Sequence, residues 1–251
     1  MATRLFHFSD PHFGVENEAA LASLAAAVHD EQPDVLICTG DLTQRAKHSE
    51  YQAAAEYFGQ FDCPIVLCAG NHDMPYYNLW ERFTDPFRRF RELYADVGQP
   101  FDSEDVVLVP LVTTVRVQPR IPLSDGVVRK PALHATVQHL RGMIADTRIK
   151  LVFCHHPLLG PEAEPNKASK PNATIGGDEA FAQIAASGAD AVISGHVHIP
   201  FDDVRTRAGN RMRMLGTGTL STRLRGSPPS YQVLTCSRED GISLERRVLD
   251  Q

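Results

Sequence analysis

The sequence predicts an α/β fold, a four-layer α-β-β-α sandwich of two mixed sheets flanked by helices. Three observations lead there. Short apolar runs alternate with helical stretches through the front of the chain, the signature of βαβ units and parallel pairing. The spacing repeats: Asp10 to Asp41 is 31 residues and Asp41 to Asn71 is 30, about the length of one βαβ unit. The last fifty or so residues read instead as consecutive strands, a meander that turns parallel sheets into mixed ones.

The elements follow in order. Residues 5–8 (Leu-Phe-His-Phe) form the first strand, and an alanine-rich helix is expected over 18–30. A strand at 35–38 (Val-Leu-Ile-Cys) follows. The next helix, 49–58, has Ser49 as its expected N-cap. It leads to a strand at 65–68 (Ile-Val-Leu-Cys). In 76–97, Leu79, Phe83, Phe87, Phe90, Tyr94 and Val97 recur at helical spacing, which predicts a helix covering the core. Pro86 must break it, with Asp85-Pro86 as a cap and first-turn proline.

Residues 106–109 and 113–117 are β-branched and strand-like, and 131–144 is helical. The strand 151–154 (Leu-Val-Phe-Cys) opens into a proline-rich loop, 157–177, long enough to be either functional or disordered. A helix over 178–186 and a strand at 191–193 come next. Strands are expected at 200–207, 211–217, 231–236 and 242–248, with tight turns at Gly209-Asn210 and Asp240-Gly241. No linker, repeat or low-complexity stretch divides residues 1–251, so one domain is expected.

Composition excludes several classes. A net charge of −6 argues against general nucleic-acid or anionic-membrane binding. The five cysteines are odd in number and lack a Cys-x-x-Cys pair, so neither a disulfide framework nor a zinc finger is expected. Cys38, Cys68 and Cys154 lie in strand positions and read as small buried residues, which favours a reducing, cytoplasmic setting. The first residues read as a strand rather than a signal peptide. No apolar run is long enough to cross a membrane, and no peripheral membrane contact is expected.

Five of the strand runs end on metal-ligand residue types. The endings are Ser9-Asp10-Pro11-His12, Gly40-Asp41, Gly70-Asn71-His72-Asp73, His155-His156-Pro157 and Gly195-His196-Val197-His198. Open α/β sheets place their chemistry beyond the carboxyl ends of strands, so a metal site is expected at that edge. Asp10 and His12, two apart, can face one cation; a turn capped by Asp10 is the plainer alternative. Asp41 offers two oxygens and could bridge two cations. Asn71 is a neutral oxygen ligand or an ordinary turn former, with Gly70 expected to let the backbone turn sharply beneath it.

Position alone does not choose between His155 and His156. His196 and His198 repeat the two-apart pattern with imidazoles, which suit zinc, iron, manganese and nickel. The histidines outside these endings, His7, His29, His48, His134 and His139, read as structural.

The ordered set Asp-x-His, Gly-Asp, Gly-Asn-His-Asp, His-x-Pro and Gly-His-x-His resembles the calcineurin-like metallophosphoesterase superfamily from Asp10 to His198. The run 216–226 (Gly-Thr-Gly-Thr-Leu-Ser-Thr-Arg-Leu-Arg-Gly) resembles bacterial members too, and Gly-Asp-Leu-Thr-Gln-Arg at 40–45 most resembles the cyclic-nucleotide phosphodiesterase-like (class III) branch. The resemblance implies a dinuclear centre of two divalent or trivalent ions, of manganese, iron or zinc. Asp10, His12, Asp41 and His198 would hold the first. Asp41, Asn71, His155 and His196 would hold the second, with Asp41 bridging. The His-x-Pro form selects His155 and leaves His156 structural. Pro11 departs from a more usual aliphatic residue without removing a ligand. The extra tyrosine ligand of purple acid phosphatases has no counterpart, since Leu42-Thr43-Gln44 follows Asp41.

Two cations about 4 Å apart suit in-line displacement at phosphorus and make hydroxide available near neutral pH. His72 matches the family's catalytic histidine and is the expected proton donor to the leaving group. Asp73 either orients it or caps a turn. A small phosphodiester, such as a cyclic nucleotide, is the expected substrate.

Two other enzyme readings stand beside this, a nucleotide-sugar or lipid-linked pyrophosphate hydrolase and a phosphomonoesterase. The lipid reading draws on Trp80, Phe83, Phe87 and Phe90 beside Arg82, Arg88, Arg89 and Arg91. A non-catalytic protein-binding scaffold on the same fold is the alternative from another class. Oligomeric state is not legible.

Overall fold

The computed structural model describes residues 2–117, 124–160 and 174–249. Two five-stranded sheets make up its β structure. The first contains β1 (Thr3–Phe8), β2 (Val35–Cys38), β3 (Ile65–Leu67), β9 (Ser230–Ser237) and β10 (Gly241–Val248), in the order β10-β9-β1-β2-β3. The second contains β4 (Val106–Pro110), β5 (Ile149–Phe153), β6 (Ala191–Ser194), β7 (Phe201–Arg207) and β8 (Asn210–Gly216), in the order β4-β5-β6-β8-β7. Strands β1, β2 and β3 run parallel, with Leu5 beside Val35 and Cys38 beside Leu67. So do β4, β5, β6 and β8. The antiparallel edges β9–β10 and β7 make both sheets mixed.

Period-two alternation builds the layers. In β1 and β2, Leu5, Val35 and Ile37 face the second sheet, while Phe6, Phe8, Leu36 and Cys38 face helices. In β5, Leu151 and Phe153 face the first sheet, and Val152 packs toward the other helices. Burial on both faces explains why these strands are continuous apolar runs rather than alternating ones. Helices α1 (Glu18–Glu31), α2 (His48–Phe58) and α4 (Arg88–Val97) contribute to the outer core of the first sheet. Helices α5 (Lys130–Gly142) and α6 (Gly177–Ala186) cover the second. The result is the α-β-β-α arrangement read from the sequence.

Several local expectations change. The N-cap of α2 is Lys47, not Ser49. Glu50, in the first turn, accepts from the backbone N–H groups of Arg45 and Lys47 and so ties down the segment that enters the helix. Residues 113–117 join no strand: Thr113 and Thr114 instead spend their hydroxyls on His156 and on the Ala69 carbonyl. The Ala208-Gly209 pair, both at positive φ, turns β7 into β8, one residue earlier than expected.

The stretch 76–97 divides into α3 (Leu79–Thr84) and α4. Asp85 and Pro86 lie between them, and Phe87 caps α4. Asp85 closes α3 and pairs with Arg91 instead of capping α4. Only α4 covers the core, through Phe90, Leu93, Tyr94 and Val97; Leu79, Trp80 and Phe83 of α3 are exposed. Of the loop expected at 157–177, residues 161–173 lie outside the described ones. All five cysteines are free thiols. Among the described residues no helix is long and apolar enough to cross a membrane.

Candidate metal centre

The five strand endings converge. Asp10, His12 and His198 present ligand atoms within 4.8 Å of one another, as do Asp10, Asp41 and His155. These residues come from loops after β1, β2, β5 and β6, so both sheets contribute to one site.

The backbone there is held in an uncommon conformation. Asp10, His12, Asp41, His196 and His198 all have positive φ, between 47° and 66°. This region costs non-glycine residues of order 1–3 kcal/mol each and persists only where the surroundings enforce it. Cross-links between the loops do so. Asp10 N–H donates to Gly40 O, His12 N–H to Asp41 O, and His196 N–H to Asp10 Oδ2.

Gly70 is extended rather than sharply turned. Its role is close approach, since a Cβ there would overlap the Asp41 backbone nitrogen and Oδ1. Asp73 tightens the same junction. Its buried carboxylate accepts from Leu42 N, Thr43 N, Thr43 Oγ1 and Gly70 N, and it caps this turn without bonding the His72 ring. Burial, with Asp41 close by, pushes Asp73 up to about 7.

The imidazoles share one wiring. Nδ1 lies on a backbone carbonyl in His12 (Thr43 O, 3.3 Å), His72 (Gln44 O, 2.7 Å), His155 (Thr39 O, 2.7 Å) and His198 (Arg223 O, 2.7 Å). A carbonyl only accepts, so each Nδ1 carries hydrogen and each ring points Nε2 into the site, where it offers a lone pair to a proton or a metal ion. His12 Nε2 and His198 Nε2 stand 3.4 Å apart, and Asp10 Oδ1 is 3.1 Å from His198 Nε2. His155 Nε2 lies 3.3 Å from both Asp41 Oδ2 and Asn71 Oδ1. Asp41 Oδ2 is also 3.7 Å from His12 Nε2, so it sits between the two groups.

Each group is a set of acceptors that only cations, protons or metal ions, can hold together. This is the fit expected of a metal site.

The titration shifts carry the same sign. Burial works against charge on Asp41, yet His155 holds its carboxyl well below the usual carboxylate range. Burial also opposes charge on His155, but Asp41 overcomes it and raises His155 to about 9. The charge that draws a proton onto Nε2 would draw a metal ion there. Burial pushes His12 and His196 down to about 3, keeping both neutral as ligands must be.

All seven residues singled out as ligands, Asp10, His12, Asp41, Asn71, His155, His196 and His198, fall in this cluster, with His72 at its edge. His196 reaches it through ring packing on His155 and His156. His156 is close by but committed: Nδ1 bonds Thr113 Oγ1 and Nε2 bonds Ser124 O, both at 3.0 Å.

Sequence reasoning missed the run 216–226 as part of the site. Thr219 Oγ1 donates to Asp10 O, and Arg223 supplies the carbonyl that orients His198. In the sequence the run stands out as a block, with no role legible for any residue in it.

Comparison with known proteins identifies the family. The family model for calcineurin-like phosphoesterases matches residues 3–200. A probable cyclic nucleotide phosphodiesterase from Synechococcus sp. is 28% identical over 169 residues, 62% of this chain and 59% of the relative. A glycerophosphodiester phosphodiesterase from Enterobacter lignolyticus is 31% identical over 80 residues, 28% of this chain and 29% of the relative. The chain thus spans less than two thirds of either relative's length.

Among solved structures, a dimetal phosphatase from Danio rerio superposes with a TM-score of 0.59 at 13% identity, covering 99% of both chains. A purple acid phosphatase from yellow lupin (Lupinus luteus) gives 0.62 at 13% identity, covering 99% of this chain and 52% of that one. At such identities the likeness concerns the fold. The chain belongs to the calcineurin-like phosphoesterase family.

Proposed function

We propose that this protein is a dinuclear metal-dependent phosphodiesterase acting on a small diester such as a cyclic nucleotide. The observation that carries it is the pair of acceptor clusters around Asp41. Asp10, His12, Asp41 and His198 would hold one ion; Asp41, Asn71, His155 and His196 would hold the other. The mixture of imidazole, carboxylate and amide donors suits manganese, iron or zinc. When bound, two such ions polarise the phosphoryl group and make a water acidic.

The chain's own groups do the rest. The two carboxylates each use one oxygen to lock a loop, as Asp41 Oδ1 does in accepting His72 N–H at 2.8 Å, and keep the other for the site. His72, half-buried, has Nδ1–H fixed on Gln44 O. It can therefore protonate a leaving alkoxide only from Nε2, in its doubly protonated form. The diester preference draws support from the Synechococcus and Enterobacter relatives, named as phosphodiesterases. Residues 1–251 are taken as one domain, and the free cysteines suit a cytoplasmic setting.

The test is metal analysis alongside a panel of monoester, linear diester, cyclic-nucleotide and pyrophosphate substrates. Diester turnover that outpaces monoester turnover and vanishes with chelator is expected. No chelator-sensitive turnover on any member would favour a non-catalytic scaffold. One observation favours a second reading, hydrolysis of a lipid-linked pyrophosphate: α3 leaves Leu79, Trp80 and Phe83 exposed, with Trp80 at 80%. Preference for the pyrophosphate member would select it.

A further inference from the structure

Arg223 is a half-buried arginine at the edge of the metal cluster. Its Nη1 lies 3.1 Å from His72 Nε2, 3.3 Å from His12 Nε2 and 3.3 Å from Gln44 Oε1. None of these partners is a carboxylate, and among the described residues the guanidinium forms no ion pair. Three other partly buried arginines do have one, Arg89 with Glu81, Arg148 with Asp146 and Arg213 with Asp202, and half-buried Arg82 spends its guanidinium on the Pro75 and Arg116 carbonyls instead. A charge removed from water without a counter-ion is costly, so the position calls for an anion. Nε and Nη2 have no partner among the described residues.

The backbone of Arg223 is tied down. Thr222 N–H donates to Val15 O at 3.0 Å, and Arg223 N–H donates to Ser221 Oγ at 3.3 Å. Its carbonyl accepts from His198 Nδ1 at 2.7 Å. The residue that orients one proposed ligand through its carbonyl thus also presents a guanidinium beside His72. A guanidinium is always charged, and its planar fork of donors matches phosphoryl oxygens.

We infer that Arg223 binds substrate: its guanidinium holds a non-bridging phosphoryl oxygen next to His72 and strengthens that grip as charge builds there in the transition state. Among the described residues no carboxylate pairs with it. This inference rests on the phosphoesterase reading above.

The test uses metal-loaded wild type, Arg223→Met and Arg223→Lys. Metal content should be unchanged in both variants. Inorganic phosphate, titrated calorimetrically, should bind Arg223→Met at least ~10-fold more weakly, the scale of one charged hydrogen bond. The value of kcat/KM should fall ~10²-fold, equally for nitrophenyl and alkyl leaving groups, because a non-bridging oxygen is held in both. Arg223→Lys should recover part of each loss.

If Arg223→Met keeps phosphate affinity and kcat/KM within about twofold of an active wild type, the inference is overturned. It is equally overturned if the variant's only defect is loss of metal, which would make Arg223 structural. A wild type that neither binds phosphate nor turns over any ester would instead bring down the phosphoesterase reading, and this inference with it.

Discussion

His12 and His198 face each other Nε2 to Nε2 across 3.4 Å, each with its Nδ1 on a backbone carbonyl. With hydrogen on each Nδ1, two Nε2 lone pairs so arranged repel unless a proton or a metal ion lies between them. Metal should therefore stabilise the fold. A site saturated to a hundred times its Kd adds about 2.7 kcal/mol. Thermal melts with and without manganese should separate in the wild type, and His198→Ala should bring the two curves together.

His72 is bonded through its backbone to Asp41 and through Nδ1 to Gln44. Replacing its side chain leaves the seven proposed ligands in place. His72→Ala should keep its metal yet lose roughly 10²–10⁴-fold in kcat on an alkyl diester, the range for a lost general acid. Nitrophenyl esters, whose leaving groups need no proton, should be largely spared. Unchanged kcat on the alkyl ester would remove His72 from that role.

The Gly70–Asp41 junction leaves no room for a side chain. Gly70→Ala must displace the loop that carries Asp41. It should cost at least ~3 kcal/mol of stability and weaken metal binding, read by denaturant titration and metal analysis. A variant that binds metal as the wild type does would show that the junction yields.

Acid should remove one contribution to the stability of the metal-free protein, the one made by neutral, buried His7. His7 is buried between Gln232 Oε1 and Thr39 Oγ1, and burial lowers it from 6.5 to about 4. The unfolded chain binds this proton below pH 6.5 and the folded chain does not until about 4. Stability from this group is therefore complete above 6.5 and is lost as pH falls through that window, about 3 kcal/mol in all. His12 and His196, lowered further still, add to the same decline, so His7→Gln should lessen it in chelator-treated samples, and an unchanged pH profile would remove His7 from this account.

Much of the fold was legible because its parallel strands are buried on both faces. Runs such as Val35 to Cys38 have no polar interruption, and the helices between them keep their period. Residues 113–117 misled for a physical reason: β-branched side chains favour extended backbone, but a strand also needs a neighbour, and here the threonines bond His156 and Ala69 instead.

The site divides similarly. The candidate ligands stood out because carboxylate, amide and imidazole types recur at strand ends. The positive φ of Asp10, Asp41 and His198 did not, since it is imposed by hydrogen bonds between loops far apart in sequence. Gly70 was expected to turn the chain and instead makes room for Asp41. Arg223 lay hidden because it follows no period, and its place depends on Val15 and His198, each far from it along the chain.

The most direct measurement is turnover of bis(p-nitrophenyl) phosphate by metal-stripped protein as manganese is added back. Two ions acting together predict a rate that climbs until about two equivalents per chain are bound and disappears when chelator is added. Turnover indifferent to metal, or a fully loaded protein that leaves the diester intact, would contradict a two-metal phosphodiesterase.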